Sequence, residues 1–231
     1  MTICQDGWSQ QAGGSVFGTI AYMIELLKKQ VDLDNSPVLF EETCTPGNLE
    51  RNWLVKGGAD WRAQDDAFLG VNSGNHPGMI ISRADFFGDV FLDFEARTVL
   101  PSTHDIDWMW NGSWDDATDT RGTAYVAGLQ GWWTGKVGFE RSPDYRLNVA
   151  TPLFPFEPGR WYHIQSGSIA GHIYVVVDER LVLEVTDPDP IDAAAHGRVG
   201  FEAYASMIQV RSIKVRRPSW QAIEKSYPAE W

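Results

Sequence analysis

The sequence is poor in cysteine, in basic residues and in long apolar runs. Only Cys4 and Cys44 occur in 231 residues. Two thiols make one bridge at most, and a chain of this length has core enough without a disulfide framework, so both are expected free. Lys and Arg number 19 against 31 Asp and Glu, a net charge of −12. That balance argues against nucleic acid or an acidic membrane as partner, since both need a basic surface. A neutral or cationic partner fits better. No apolar run approaches the ~18 residues of a membrane span. The opening MTICQDGWSQQAGG has neither the basic start nor the apolar stretch of a secretory signal, so a cytoplasmic protein is expected. No CxxC, HExxH, phosphate-binding glycine loop or nucleophile elbow is present. No cofactor is expected, and a divalent metal ion stays open. The acidic run Asp115-Asp116-Ala117-Thr118-Asp119 has oxygens for calcium, but it lacks the glycine and terminal glutamate of an EF-hand loop and reads as a solvated loop.

Aromatic residues are plentiful: 13% of the chain, with 11 Trp. Such rings fill cores, and they also stack on the apolar faces of sugars. Apolar residues make up 43%, enough for one large core. Phe17, Ile20, Ala21, Ile24, Leu27 and Val31 recur at helical spacing, so an amphipathic helix is expected over 16–31, capped by Ser15 and ended by Asn35-Ser36-Pro37. It either packs on its own domain or makes a homo-oligomer contact. From Val38 onward the pattern is β. Asp89–Arg97 alternates most clearly, with Val90, Leu92, Phe94 and Ala96 on one face and Asp89, Phe91, Asp93, Glu95 and Arg97 on the other. Residues 101–122 read as a long loop carrying Trp108, Trp110 and Trp114. Gln130-Gly131-Trp132-Trp133-Thr134-Gly135 reads as an aromatic turn between two strands. Roughly twelve to fifteen short strands separated by turns suit a two-sheet sandwich. The expected organisation is an extension over 1–36, one sandwich domain over 37–217 and a tail over 218–231.

The meander from Arg160 to Val215 carries a resemblance. Gly159-Arg160-Trp161-Tyr162-His163-Ile164, Ile173-Tyr174-Val175-Val176-Val177-Asp178, Gly197-Arg198-Val199-Gly200-Phe201-Glu202 and the strand Val210–Val215 resemble the concanavalin A-like jelly roll of lectins, laminin G-like domains and family 16-type glucanases. Phe91-Leu92-Asp93-Phe94-Glu95-Ala96-Arg97 is similar to a strand of the bacterial 3-keto-disaccharide hydrolase-like sandwiches. The resemblance implies an all-β, two-sheet concanavalin A-like sandwich, with a carbohydrate or glycoside as ligand in a groove on the concave sheet. The E-x-D-x-E strand of the glucanases is absent. Asp93-Phe94-Glu95 and Asp105-Ile106-Asp107 are fragments of it at best.

Strand alternation then nominates a site. If Phe201 is core, Glu202 and Tyr204 face the groove. If Leu92, Phe94 and Ala96 are core, Glu95 and Arg97 do the same, and His163 and Gln165 join them from the Tyr162–Ile164 strand. The expected catalytic set is Glu202, Glu95, His163 and Arg97. Tyr204, Gln165, Trp108, Trp110, Trp132 and Trp133 are expected to bind substrate. Glu or His exchanges protons near neutral pH once burial shifts its pKa, and Arg stabilises an oxyanion. For a 3-keto glycoside, one base and one acid suffice to eliminate the aglycone before water adds. The expected function is therefore a glycoside hydrolase or lyase, 3-keto glycosides included among its substrates. The alternatives are a non-catalytic carbohydrate-binding module and a structural subunit. Glu95 with Arg97 reads equally well as a surface ion pair, and His163 as a hydrogen-bonded structural histidine.

Overall fold

The computed structural model of the protein describes residues 22–224. In chain order the elements are β1 (Met23–Leu26), β2 (Lys29–Asp32), β3 (Val38–Glu41), the short helix α1 (Pro46–Asn52), β4 (Trp53–Lys56), β5 (Asp60–Gln64), β6 (Ala67–Val71), β7 (Gly78–Ser82), β8 (Phe91–Thr98), β9 (Ile106–Gly112), β10 (Trp114–Asp115), β11 (Thr120–Arg121), β12 (Ala124–Leu129), β13 (Val137–Ser142), β14 (Asn148–Ala150), β15 (Tyr162–Ile169), β16 (His172–Val177), β17 (Arg180–Thr186), β18 (Arg198–Ala203), β19 (Met207–Arg216) and β20 (Ser219–Ala222).

Two antiparallel sheets form the sandwich. One has seven strands in the order β14-β13-β12-β9-β18-β7-β4. The other has eight, ordered β17-β16-β15-β8-β19-β6-β5 with β3 added beside β19. The Arg160–Val215 meander divides between them: β15, β16, β17 and β19 lie in the eight-stranded sheet, and β18 crosses to the seven-stranded one. Tight turns set the hairpins. Asp65-Asp66, Ala170-Gly171 and Asp178-Glu179 each place both residues at positive φ, as two-residue connections between right-twisted strands require.

Period two decides what each strand buries. Phe94 and Ala96 of β8 point into the core, as do Trp108 and Trp110 of β9, Tyr125 of β12, Phe139 of β13, Ile164 of β15 and Phe201 of β18. Rings from the two sheets meet there. Phe94 packs edge-on against Phe201 at 4.9 Å and against Trp108 at 5.5 Å. Residues 101–122 are therefore not a long loop. Their central part is β9, a middle strand of the seven-stranded sheet, because Ile106, Trp108 and Trp110 alternate inward.

The helix expected over 16–31 is replaced, in its described part, by the β1–β2 hairpin; residues 16–21 lie outside the described residues. The apolar residues that are buried here are Ile24 and Leu26, then Val31 and Leu33, at strand spacing. Leu27, inward on a helical reading, sits at the turn and is 49% exposed. The hairpin pairs with β20 and packs on the outward face of the eight-stranded sheet at Phe91, Tyr174 and Val176. The short helix of the described chain is instead α1, capped by Thr45, whose side chain accepts from the Asn48 N–H, and begun by Pro46. No helix among the described residues is long and apolar enough to cross a membrane.

If the hairpin is part of the folded domain, Leu26→Ala should lower the unfolding free energy by about 2–5 kcal/mol, the usual result of emptying a fully buried leucine site. Urea titration measures it, and a change below ~0.5 kcal/mol would show that the hairpin does not pack on the sheet.

Candidate functional site

The outward face of the seven-stranded sheet carries two regions. One is apolar: Met79, Ile81, Met109, Ala124 and Val126, covered by Trp114. Trp114 belongs to the β10–β11 hairpin, where it stands opposite Arg121. At the turn of this hairpin Asp115 accepts from the Ala117 N–H and the Thr118 hydroxyl, so its carboxylate serves the turn.

The second region is acidic. Asp107 of β9 lies directly across from Glu202 of β18, and on its other side from Gly128 of β12. Glu140 comes from β13, next to Val126 in register. Asp105 precedes β9 at a positive φ of 75°, a conformation Asp tolerates. Its N–H donates to the Gln130 carbonyl at 3.1 Å, and its own carbonyl accepts from the Ser206 hydroxyl at 3.1 Å. Into these four acids reaches Arg121, 3.2 Å from Glu140 and 3.4 Å from Glu202. All four carboxyl residues are at most 5% exposed. They line a cleft of about 460 Å³, within the usual ~300–1,000 Å³ of small-molecule sites. His104, Trp132, Tyr145 and Tyr204 also line it.

Glycines make the cluster possible. A side chain at Gly128 would come within 1.8 Å of Asp107 Oδ1 and 3.1 Å of the Trp132 ring. A Cβ on Gly131 would lie 2.8 Å from Asp105 Oδ1 and 2.9 Å from Asp107 Oδ1. The Trp132 ring also leans over Gly138. Asn148 Oδ1 accepts from the indole N–H groups of both Trp132 (3.2 Å) and Trp133 (3.0 Å). Trp132 is thereby fixed beside the acids while 36% of it remains exposed.

Like charges facing each other in a buried site are unfavourable, and the acids respond by holding protons. Burial pushes Asp105 up to about 7, with the neighbouring charge of Glu202 adding to it. Asp107 is raised well above the carboxylate range, first by burial and then by Asp105 and Glu202. Burial likewise raises Glu140 and Glu202, and Arg121 opposes it at both. A carboxylate only accepts hydrogen bonds, so Asp105 and Asp107 bond to each other only when one carries a proton. Other buried acids of this protein show the contrast. Glu42 accepts from five donors: the N–H groups of Thr43 and Cys44, the amides of Asn48 and Asn52, and the Trp53 indole. Asp187 accepts from Tyr125, Arg141 and the Asp189 N–H. Those two acids hold the fold together. Asp105 Oδ1 and Asp107 Oδ1 have no protein donor.

The structure brings together Glu202, Tyr204 and Trp132 of the residues nominated from sequence. Trp133 stands next to the cleft, 39% exposed, with Lys136 over its ring. Trp108 and Trp110 do not reach any groove; both are fully buried, because β9 turns them into the core. Glu95, Arg97, His163 and Gln165 lie on the outward face of the other sheet, with the whole core between them and Glu202. There Glu95 pairs with Arg211 at 2.8 Å, and His163 with Asp93 at 2.8 Å. Arg97 donates to Gln209 and stacks on Trp161, which Arg211 also covers. Gln165, 3% exposed, is flanked by Asp93 and Val176. The bond to Asp93 raises the His163 pKa against the opposing effect of burial. This is an ionic mesh over a sheet face. Asp105, Asp107 and Arg121 are the cleft residues that the loop reading of 101–122 hid; Glu140 lies on the strand after the aromatic turn and was not nominated. The signal for Asp107 was its alternation with Ile106 and Trp108. A second depression, about 390 Å³ near Leu153, Arg160 and Leu181, holds the Arg160–Asp178 ion pair and no cluster of acids.

Comparison with known proteins places the fold. No established protein family is matched by the chain, and no curated protein is similar to it in sequence. Solved structures are similar. A Bacillus subtilis protein of unknown function with a galectin-like fold superposes with a TM-score of 0.62 at 11% identity, over 80% of this chain and 98% of that one. The fold is galectin-like. The carbohydrate-binding module CBM66 from Bacillus subtilis gives 0.57 at 14% identity, over 72% and 96%. A chain from work on the endo-acting O-glycanases with which human gut microbiota initiate mucin breakdown gives 0.56 at 11%, over 78% and 99%. Such identities establish the sandwich and leave the ligand to be argued from the cleft.

The raised Asp105 carboxyl has a consequence for stability. Between pH ~4 and ~7 the unfolded chain has lost this proton and the native state keeps it, so stability falls as pH rises through that window. Asp105→Asn cannot ionise and fits the same positive φ. It should be more stable than the wild type by up to about 4 kcal/mol at pH 7, with the gap closing as pH falls to 4. Chemical denaturation across that range measures the gap; one independent of pH would contradict the assignment.

Proposed function

We propose that this protein is a carbohydrate-active enzyme that cleaves a glycosidic bond by acid–base chemistry in the Asp105–Asp107–Glu202 cleft. The carrying observation is the four buried carboxyls facing a lone guanidinium beside the exposed Trp132 ring. Trp132 offers a flat apolar face on which a sugar ring stacks. Asp105, titrating at about 7, is matched to giving and taking a proton at neutral pH. In hydrolysis it protonates the departing glycosidic oxygen as the C–O bond breaks. Glu202, paired with Arg121, in its ionised form takes a proton from the water whose oxygen joins the anomeric carbon. The two carboxyls come from different segments, Asp105 just before β9 and Glu202 on β18, so no single-strand E-x-D-x-E motif is needed. Elimination from a substrate with an acidic C–H uses the same pair, with Glu202 taking the carbon-bound proton. The strand that resembles the 3-keto-disaccharide hydrolase-like proteins, Phe91–Arg97, turns its polar residues to the opposite face of the sandwich. It therefore lends no support to a 3-keto substrate.

A binding module is the second reading. It is favoured by the Trp132–Asn148–Trp133 arrangement, which holds a ring face open without help from the acids, and by the likeness to a carbohydrate-binding module. Turnover of a panel of aryl glycosides and oligosaccharides separates the two. The enzyme reading expects cleavage, with Asp105→Asn and Glu202→Gln each lowering kcat by about 10²–10⁴-fold. Sugar binding without cleavage anywhere in the panel would leave the module, and variants as active as wild type would move the site elsewhere.

A further inference from the structure

The cleft's charge is out of balance, and the imbalance points to a class of ligand. We propose that the cleft selects a cationic sugar, one whose free ammonium group enters between Asp105 and Asp107. This inference rests on the cleft being a sugar site. Arg121 is spent on Glu140 and Glu202. Arg121 is in ion-pair contact with neither aspartate and acts on them only from a distance, and beyond the proton the two can share no donor reaches Asp105 Oδ1 or Asp107 Oδ1. Both residues are more than nine-tenths buried and both line the cleft. Both oxygens lie within 3 Å of the spot left open by the missing side chain of Gly131. The buried carboxylates outside the cleft among the described residues, Glu42 and Asp187, are surrounded by donors, in contrast to this pair.

An ammonium fits what is missing. It carries a full positive charge and three donors, enough for both aspartates and an oxygen of the ligand. A neutral hydroxyl supplies one donor and no charge. A metal ion is a poorer fit, because calcium takes six to eight oxygens. Among the described residues no three His, Cys, Asp or Glu side chains gather to hold an ion. The sugar ring has its place too. Asp107 Oδ1 and the edge of the Trp132 ring both crowd the space above Gly128, so a ring stacked on Trp132 carries its edge substituent to Asp107. An arriving cation also lets Asp107 release the proton it holds in its absence, while Asp105 accepts from the ammonium through its carbonyl oxygen and keeps its proton for the glycosidic oxygen.

Isothermal titration at pH 7 with glucosamine and galactosamine, against glucose, galactose and their N-acetylated amino counterparts, tests this. Running it in two buffers of different ionisation enthalpy counts protons. The free amines are expected to bind at least ~10-fold tighter than neutral or acetylated sugars and to release protons on binding. Asp107→Asn, checked for folding by its melting temperature, should abolish both effects. Equal affinity for acetylated sugars, or a preference that survives in both Asp107→Asn and Asp105→Asn, overturns the proposal. So does Ca²⁺ that raises the melting temperature as much as saturating glucosamine and loses that effect in Asp107→Asn. Cleavage of neutral glycosides with no preference for amines would sink this inference alone. A chain that neither binds nor cleaves any sugar would sink the reading of the cleft beneath it.

Discussion

The contact between Phe94 and Phe201 organises this molecule. The two rings meet edge to face at 4.9 Å, one from each sheet, at the centre of the core. Each brings a strand with it, and period two then dictates everything beside them. Glu95, next to Phe94, must leave through the eight-stranded sheet. Glu202, next to Phe201, must leave through the seven-stranded one. The outward faces of the sandwich therefore have separate chemistry. One is covered by the β1–β2 hairpin and by ion pairs such as Glu95–Arg211 and Asp93–Arg216. The other holds the cleft.

This geometry also sets what can be read from the sequence. Alternation along one strand is legible, and it placed Phe94, Phe201, Glu202 and Tyr204 on the sides they occupy. Which sheet a strand joins is not legible that way, because Leu92-Asp93-Phe94-Glu95 has the same pattern whichever sheet receives it. Glu95, Arg97 and His163 were grouped with Glu202 for that reason. Residues 101–122 misled through composition: Asn, Gly, Asp and Ser around Trp110 suggest a loop, yet Ile106, Trp108 and Trp110 alternate as a core strand does. At the other end, Ile24, Leu27 and Val31 satisfy helical spacing by coincidence, while Ile24, Leu26, Val31 and Leu33 do the burying. Arg121 had no local signal at all. Its role depends on a two-residue strand folding back over a sheet that is assembled from distant segments.

The cleft is where the chain departs from its own habits. Glu42 and Asp187 show that buried carboxylates here are ordinarily surrounded by donors. Asp105, Asp107, Glu140 and Glu202 share one guanidinium, and Asp107 faces Glu202 across a strand pair, where like charges are destabilising. Gly128 and Gly131 leave the space for this arrangement, and Asn148 pins Trp132 beside it. A cluster this unfavourable for stability is the ground on which the cleft is proposed as the site.

The central claim is that the cleft holds a proton near neutrality. A ¹³C NMR titration of the Asp and Glu side-chain carboxyls addresses it directly. The account predicts a carboxyl that titrates near 7, absent from the spectra of Asp105→Asn. If every carboxyl of the folded protein titrates below ~5, in the range of unperturbed Asp and Glu, the cleft is not a proton-transfer site and the account is contradicted.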